Sequence, residues 1–81
     1  YDLKNLSIYT TTSPKTVVIK GQINDDTVAN IYDIQGRLVH YAALKTGVSI
    51  NELDVDNFSA GVYIIKLESD THGKTQKIII R

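Results

Sequence analysis

Apolar and polar residues alternate in short runs along most of the chain, and Thr, Val, Ile and Tyr dominate the apolar segments. Branching at Cβ restricts χ1, so Thr, Val and Ile favour pleated strands over helices, as Tyr also does. Turn residues separate the runs at intervals of about 8–12 residues, a spacing typical of small all-β domains. The pattern predicts seven strands, at residues 6–10, 16–21, 27–34, 37–43, 49–54, 61–68 and 75–81.

The segments between these strands are too short for the crossover helices that a parallel sheet requires. We therefore expect an all-β, antiparallel fold, either a sandwich or a barrel. The 81 residues have room for one core, so residues 1–81 are predicted to be a single domain. Because the chain begins at Tyr1 rather than Met, we expect it to be a fragment of a longer protein.

The same turn motif occurs twice between predicted strands. Asp33 precedes Gly36 by three positions, and Asp70 precedes Gly73 by the same spacing. An Asp at the first turn position can accept hydrogen bonds from the backbone ahead of it, and the Gly tolerates the left-handed conformation that closes a type I turn with a bulge. The motif predicts two antiparallel hairpins, with these four residues as turn determinants.

Alternation along the last two predicted strands separates two faces on each. In residues 61–68 both faces are largely apolar near the start of the strand, with Tyr63 and Ile65 on one side and Val62 and Ile64 on the other. In residues 75–81 one face carries Ile78 and Ile80, and the outer face carries Lys77, Ile79 and Arg81. An Ile between two cations on an outer face is unusual, and we interpret it as part of a partly covered sheet edge.

Charge and composition exclude several classes of protein. Nine basic residues balance nine acidic ones, so the electrostatic attraction that drives nucleic-acid binding is missing and no nucleic-acid partner is expected. No apolar stretch approaches the roughly 20 residues of a membrane span, so we expect no membrane insertion. Cysteine is absent, which excludes disulfides, thiolate zinc sites and cysteine nucleophiles.

The chain has no recognisable constellation for catalysis. His40 falls in a predicted strand and His72 in a predicted turn, and neither lies in a known motif. The run from Glu52 to Asp56 alternates acidic and apolar residues but lacks a Gly to bend a calcium loop, so a solvated strand face is the better interpretation. The five glycines are scattered singly rather than gathered in a phosphate loop. We predict no catalytic residues, no cofactor, no metal and no enzymatic activity.

Three segments, taken together, resemble a known family. They are residues 31–39 (IYDIQGRLV), 58–67 (FSAGVYIIKL) and 77–81 (KIIIR). Their order and spacing are similar to those of the C-terminal sorting domain of type IX secretion cargo in Bacteroidetes, in its type A form. The resemblance covers residues 28–81. Family members often carry Pro-Asn-Pro near the start of the domain, whereas this chain has only Pro14 there.

The resemblance implies an immunoglobulin-like sandwich of about seven strands, attached behind an unrelated cargo domain. It implies a non-catalytic sorting signal, whose cargo passes through the periplasm and reaches the cell surface or the extracellular space. The implied partners are the outer-membrane secretion machinery and, for many members, a sortase that removes the domain. Self-association is a further option.

The resemblance also directs attention to particular side chains. If residues 75–81 form a paired strand, the machinery must recognise a rigid surface rather than a flexible peptide. The candidate recognition residues are Arg37, Lys74, Lys77, Ile79 and Arg81. We expect Gly36 and Gly61 to act through their turns, Tyr63 through packing, and Asp33 as a turn cap.

An accessory glycan-binding or adhesive module of an extracellular enzyme is the alternative function. Such sandwiches use exposed aromatic side chains as platforms, and Tyr1 and Tyr9 are the tyrosines most open to that interpretation. Asp26-Thr27-Val28 matches a short acceptor pattern for O-glycosylation in Bacteroidetes, but so short a pattern occurs too often by chance to carry a prediction.

Overall fold

Residues 5–81 are described by a computed structural model, in which they form seven strands. The strands are β1 (Ser7–Thr12), β2 (Lys15–Lys20), β3 (Val28–Tyr32), β4 (Leu38–Ala43), β5 (Ile50–Asp54), β6 (Gly61–Glu68) and β7 (Gly73–Ile80). Each strand begins and ends within two residues of its predicted bounds. The alternation of apolar and polar residues therefore predicted the number and the place of the elements.

The strands form two antiparallel sheets with the orders β1-β2-β5 and β4-β3-β6-β7. The hairpins β1–β2, β3–β4 and β6–β7 each stay within one sheet, and the chain crosses to the opposite sheet before β3, β5 and β6. The two sheets enclose one hydrophobic core. This confirms the prediction of an immunoglobulin-like β-sandwich.

The core is built from the inward faces of both sheets. Ile31 of β3 and Ile65 of β6 are register partners, and both are fully buried. Ile19 of β2 is fully buried in the opposite sheet. On β7, Ile78 and Ile80 are buried too, and burying a side chain of this size contributes about 1.5–3 kcal/mol. The last strand is therefore part of the core.

Side chains close the gap between β1 and β7, which are edge strands of different sheets. The Thr10 hydroxyl donates a hydrogen bond to the Ile79 carbonyl oxygen at 2.9 Å. The Gln76 side-chain amide donates to the Ile8 carbonyl oxygen at 3.0 Å. These bonds satisfy carbonyl groups at sheet edges and hold the two sheets together along one side.

The turn between β6 and β7 differs both from the turn between β3 and β4 and from the predicted structure. Ser69 N–H donates to the His72 carbonyl oxygen at 2.9 Å, and His72 N–H donates to the Ser69 hydroxyl oxygen at 3.1 Å. Ser69 thus has the capping role that we predicted for Asp70, which is an exposed residue inside the turn. Gly73 is the first residue of β7 and does not have a positive φ. Its predicted place at a left-handed turn position is wrong.

Tyr63 fixes the corner at which the chain enters β6. Its hydroxyl donates to the Ser59 carbonyl oxygen, four residues upstream, at 2.8 Å. Its ring lies 5.3 Å from that of Phe58 between centroids, and both rings pack against the core. A tyrosine at this corner that bonds back to the upstream backbone recurs in immunoglobulin-like sandwiches. Gly61 lies at the same corner and is the first residue of β6. Its φ is +157°, and its register partner on β7 is Ile80.

We expect Tyr63→Phe to lower the free energy of unfolding by about 0.5–1.5 kcal/mol, because Ser59 loses its hydrogen-bond donor while the ring packing is kept. Urea unfolding followed by circular dichroism measures the change. Tyr41→Phe is the matched control, because Tyr41 is exposed on β4. Equal unfolding midpoints for the two variants would show that the hydrogen bond does not contribute.

Candidate recognition surface

The turn between β3 and β4 holds Arg37 in a fixed position. Asp33 Oδ1 accepts hydrogen bonds from the backbone N–H groups of Gln35 at 2.9 Å and Arg37 at 3.0 Å, and Asp33 Oδ2 accepts one from Arg37 Nε at 2.8 Å. Gly36 N–H closes the turn on the Asp33 carbonyl oxygen, with a φ of +86° that other residues rarely adopt. The Arg37 side chain is 72% exposed, against 15% for Asp33. The turn therefore presents an oriented guanidinium to solvent.

The same hydrogen bonds lower the pKa of Asp33 from its ordinary value of 3.8. The largest cause is the backbone N–H of Arg37, followed by its guanidinium and the Gln35 N–H, while desolvation acts in the opposite direction. A carboxylate whose pKa is lowered by folding stabilises the fold above its unfolded-state pKa. That contribution is lost as the pH falls through the lower, folded-state pKa, so the turn is sensitive to acid.

We expect Asp33→Asn to reduce thermal stability at pH 7 and to flatten the loss of stability on acidification. Asn keeps an oxygen for the backbone bonds but removes the charge, so the titrating contribution disappears. Melting temperatures of both proteins between pH 7 and about pH 2 measure the effect. Glu52→Gln, at an exposed position on β5, is the control. If the wild-type protein and Asp33→Asn lost stability in parallel on acidification, the carboxylate would have no such role.

Three of the five predicted recognition residues lie together on the outer face of the sheet, two of them on β7 and one directly after it. Lys77, Ile79 and Arg81 are exposed, whereas the intervening Ile78 and Ile80 are buried. Ile79 is 44% exposed and pairs with Val62 of β6. The outer face therefore presents an apolar strip next to two cations.

The other two predicted residues lie elsewhere. Lys74 is half-buried and alternates with Gln76 and Ile78, so it belongs to the opposite face of β7. Arg37 immediately precedes β4, which is the far edge strand of the same sheet. The structure does not bring the five residues into one continuous surface.

A row of side chains that the sequence did not predict crosses the outer face of this sheet. Leu38, Tyr32, Ile64 and Lys77 are successive register partners on β4, β3, β6 and β7. We call these four residues the cross-sheet row; at about 4.8 Å between strands it spans about 14 Å. The register of β3 and β4 shifts just before Tyr32, where Val39 is an extra residue. The one feature of the sequence that indicated an apolar outer face was that both faces of residues 61–68 are largely apolar near the start of the strand.

Three further polar residues were considered from the sequence as candidates for modification or catalysis, namely Thr27, His40 and His72. The Thr27 hydroxyl, in the O-glycosylation pattern, is not available, because Thr27 is 2% exposed and donates to the Asp25 carbonyl oxygen at 2.8 Å. The His40 ring meets that of Phe58 edge-on, 5.9 Å between centroids. His72 lies in the exposed turn after β6.

The exposed tyrosines of the described chain lie on different surfaces. Tyr9 lies on β1 and Tyr41 on β4, which belong to different sheets. Tyr1 lies outside the described residues. The glycan-binding alternative therefore gains no aromatic platform from Tyr9 and Tyr41 together.

Residues 5–81 hold neither a metal-binding cluster nor a membrane-spanning helix. That part of the chain contains no group of three or more His, Asp or Glu side chains arranged to hold a metal ion. It also contains no helix with the length and apolar character needed to cross a bilayer.

Comparison with protein-family models matches residues 7–81 to the family described as "Secretion system C-terminal sorting domain". The match begins at the first residue of β1 and includes all seven strands. It thus extends upstream of residue 28, where the resemblance seen in the sequence began. Comparison with curated proteins gives no match.

Proposed function

The chain belongs to the secretion system C-terminal sorting domains, and from this membership we propose that the secretion machinery recognises it as a folded module. The domain is a sorting signal for type IX secretion, interacts with that machinery and is attached to a cargo. The signal implies export to the cell surface or the extracellular space.

The observation that carries the proposal is the pairing of β7 along its whole length. Every residue of β7 has a register partner on β6, from Gly73 opposite Glu68 to Ile80 opposite Gly61. Ile78 and Ile80 are buried in the core. If the secretion machinery bound this segment as an extended peptide, β7 would first have to leave the sandwich. Removing β7 would cost most of the free energy of unfolding of so small a domain.

The contacts that we propose for recognition are the exposed outer-face residues Lys77, Ile79 and Arg81. Arg37 is a second, separate contact at the far edge of the same sheet. Lys74, which lies on the other face of β7, is a contact only for a partner that reaches around the edge of the strand.

Further features of the pathway belong to the same proposal. We propose that the attached cargo passes through the periplasm and that, on the surface, a sortase removes the domain. The family is non-enzymatic, and we propose that this module has no catalytic activity, cofactor or metal of its own. Residues 1–81 form its single domain in this proposal.

Fusion of residues 1–81 behind a reporter enzyme in a type IX-competent bacterium tests the function. We expect reporter activity on intact cells, and its loss in a strain without the secretion machinery. A fusion that is folded, as judged by protease resistance, but remains in the periplasm would contradict the proposal.

A further inference from the structure

The outer face of the four-stranded sheet contains an apolar hollow beside the first turn. The hollow has a volume of about 480 Å³ and is lined by Tyr32, Asp33, Ile34, Gly36, Ile64 and Lys66. Ile34, at the tip of the turn, is 76% exposed. The hollow is shallow and open to solvent, and it lies between the turn and the centre of the cross-sheet row, so it offers an apolar surface against which a partner's side chain can pack.

Exposed apolar side chains continue on both sides of the hollow. Leu38 lies next to Tyr32 on β4 and is 54% exposed. On the other side, Val62 and Ile79 are register partners and both are exposed. Contiguous exposed apolar surface of this kind, with polar residues at its border, marks interaction sites in soluble domains.

The charges around this surface are not balanced. Arg37 pairs with Asp33 at 2.8 Å, and Lys66 pairs with Glu68 at 2.9 Å. Among residues 5–81 these are the two salt bridges, and neither includes Lys77 or Arg81. Lys77 directly adjoins Ile64 in the cross-sheet row. A complementary partner would place an apolar side chain in the hollow and carboxylates within reach of β7.

We propose that this face binds an acidic, apolar segment of the secretion machinery, with an apolar side chain in the hollow and carboxylates against Lys77 and Arg81. The inference rests on the proposed function and names the chemistry of the partner. It places the centre of recognition at Tyr32 and Ile64 in the middle of the sheet, between the predicted contact Arg37 on one side and the predicted contacts Lys77, Ile79 and Arg81 on the other.

The arrangement of charge favours a protein partner over a lipid surface. Lys77 and Arg81, which take part in neither salt bridge, lie along one edge of the apolar surface, whereas an anionic lipid surface is engaged by cations that border the apolar side chains. A second copy would have to present carboxylates from a different surface, such as Glu52 and Asp54 on its β1-β2-β5 sheet or Asp25 and Asp26 before its β3, and such a contact between unlike surfaces does not close into a dimer.

Site-specific photocrosslinking in exporting cells is the direct test. The reporter fusion carries p-benzoyl-phenylalanine in place of Ile64 or, as the control on the other sheet, in place of the exposed Ile50. We expect position 64 to crosslink to a protein of the secretion machinery, on a peptide with Asp or Glu next to an apolar residue, and position 50 not to. Equal crosslinking at both positions, an adduct with lipid or with a second copy, or no adduct from a displayed fusion would each overturn the inference.

A charge series gives an independent measurement. We expect Lys77→Glu to reduce surface reporter activity by about tenfold or more, Lys77→Arg to retain it, and Lys20→Glu on the other sheet to retain it. Melting curves of the purified variants show whether each is folded. Normal display of a folded Lys77→Glu variant would overturn this inference and the proposed contact at Lys77, but it would leave the sorting function intact. Failure of the wild-type fusion to reach the surface would overturn the proposed function itself.

Vesicles of phosphatidylethanolamine and phosphatidylglycerol distinguish the lipid alternative. We expect the purified domain not to sediment with them. Sedimentation that Lys77→Glu abolishes would contradict a protein partner and assign the face to the membrane.

Discussion

Deletion of residues 77–81 is expected to abolish the cooperative unfolding transition of the domain. The deletion removes the partners of Gly61, Val62, Tyr63 and Ile64 in the β6–β7 ladder. It also removes Ile78 and Ile80 from the core, at about 1.5–3 kcal/mol each. At about 0.05–0.15 kcal/mol per residue, the whole domain has about 4–12 kcal/mol of stability, so the loss is comparable to the total.

Circular dichroism and a thermal melt of the truncated protein measure this effect. Deletion of Arg81 alone is the control, because Arg81 is exposed and follows the last residue of β7. We expect the control to melt close to the parent. A truncated protein that kept a cooperative transition near the parent melting temperature would contradict the assignment of β7 to the core. If the truncated protein is not secreted, either unfolding or the loss of contacts with the secretion machinery can be the cause. Lys77→Glu separates these causes, because it changes a contact residue and leaves β7 in place.

Ile65→Ala is expected to have the second largest effect. Ile65 is fully buried in β6, between its register partners Ile31 on β3 and Gln76 on β7. Truncating a buried Ile costs about 2–5 kcal/mol, because the lost burial is accompanied by a cavity that the neighbouring side chains fill only partly. That range is a large share of the stability of an 81-residue domain.

Urea unfolding of Ile65→Ala gives the change in free energy directly. Val62→Ala, three residues away on the outer face of the same strand, is the control, because Val62 is 39% exposed. We expect a midpoint shift several times larger for Ile65→Ala than for Val62→Ala. Similar shifts for both would mean that the alternation along β6 does not distinguish the core from the surface.

Most of the fold could be predicted from the sequence because several strands, among them β3, β5 and β7, alternate simply between inward and outward residues. In β7 the buried Ile78 and Ile80 and the exposed Lys77 and Ile79 occupy the faces that the pattern assigned. The first turn could be predicted too, because Asp33 and Gly36 have the residue types that its geometry demands.

The second turn could not be predicted from its residue types alone. Ser69 and Asp70 are adjacent, and either side chain can cap a turn. The choice depends on where the β6–β7 ladder ends, and that ladder extends to Glu68 and Gly73. Long-range pairing therefore outweighed a local motif.

The centre of the recognition surface that we propose could not be predicted from the sequence, because it depends on the register of the strands. Leu38, Tyr32, Ile64 and Lys77 come from four strands and meet only through pairing between strands. The extra residue Val39 shifts the alignment of β4, so counting along the sequence does not place Leu38 opposite Tyr32. An apolar face that is exposed also looks, in the sequence alone, like one that is buried.

The side-chain hydrogen bonds between β1 and β7 show how the first and last strands are oriented relative to each other. Ile8 lies near Gln76 and Thr10 near Ile79, so the first and last strands run the same way. Ser7, the first residue of β1, consequently lies at the end of the sandwich opposite Arg81, about 17 Å or more away along the strand axis. If a transport protein binds the sorting domain at the Arg81 end, the length of the strands separates the bound surface from the end at which the chain enters β1. A bulky cargo attached upstream of that end would then not obstruct binding.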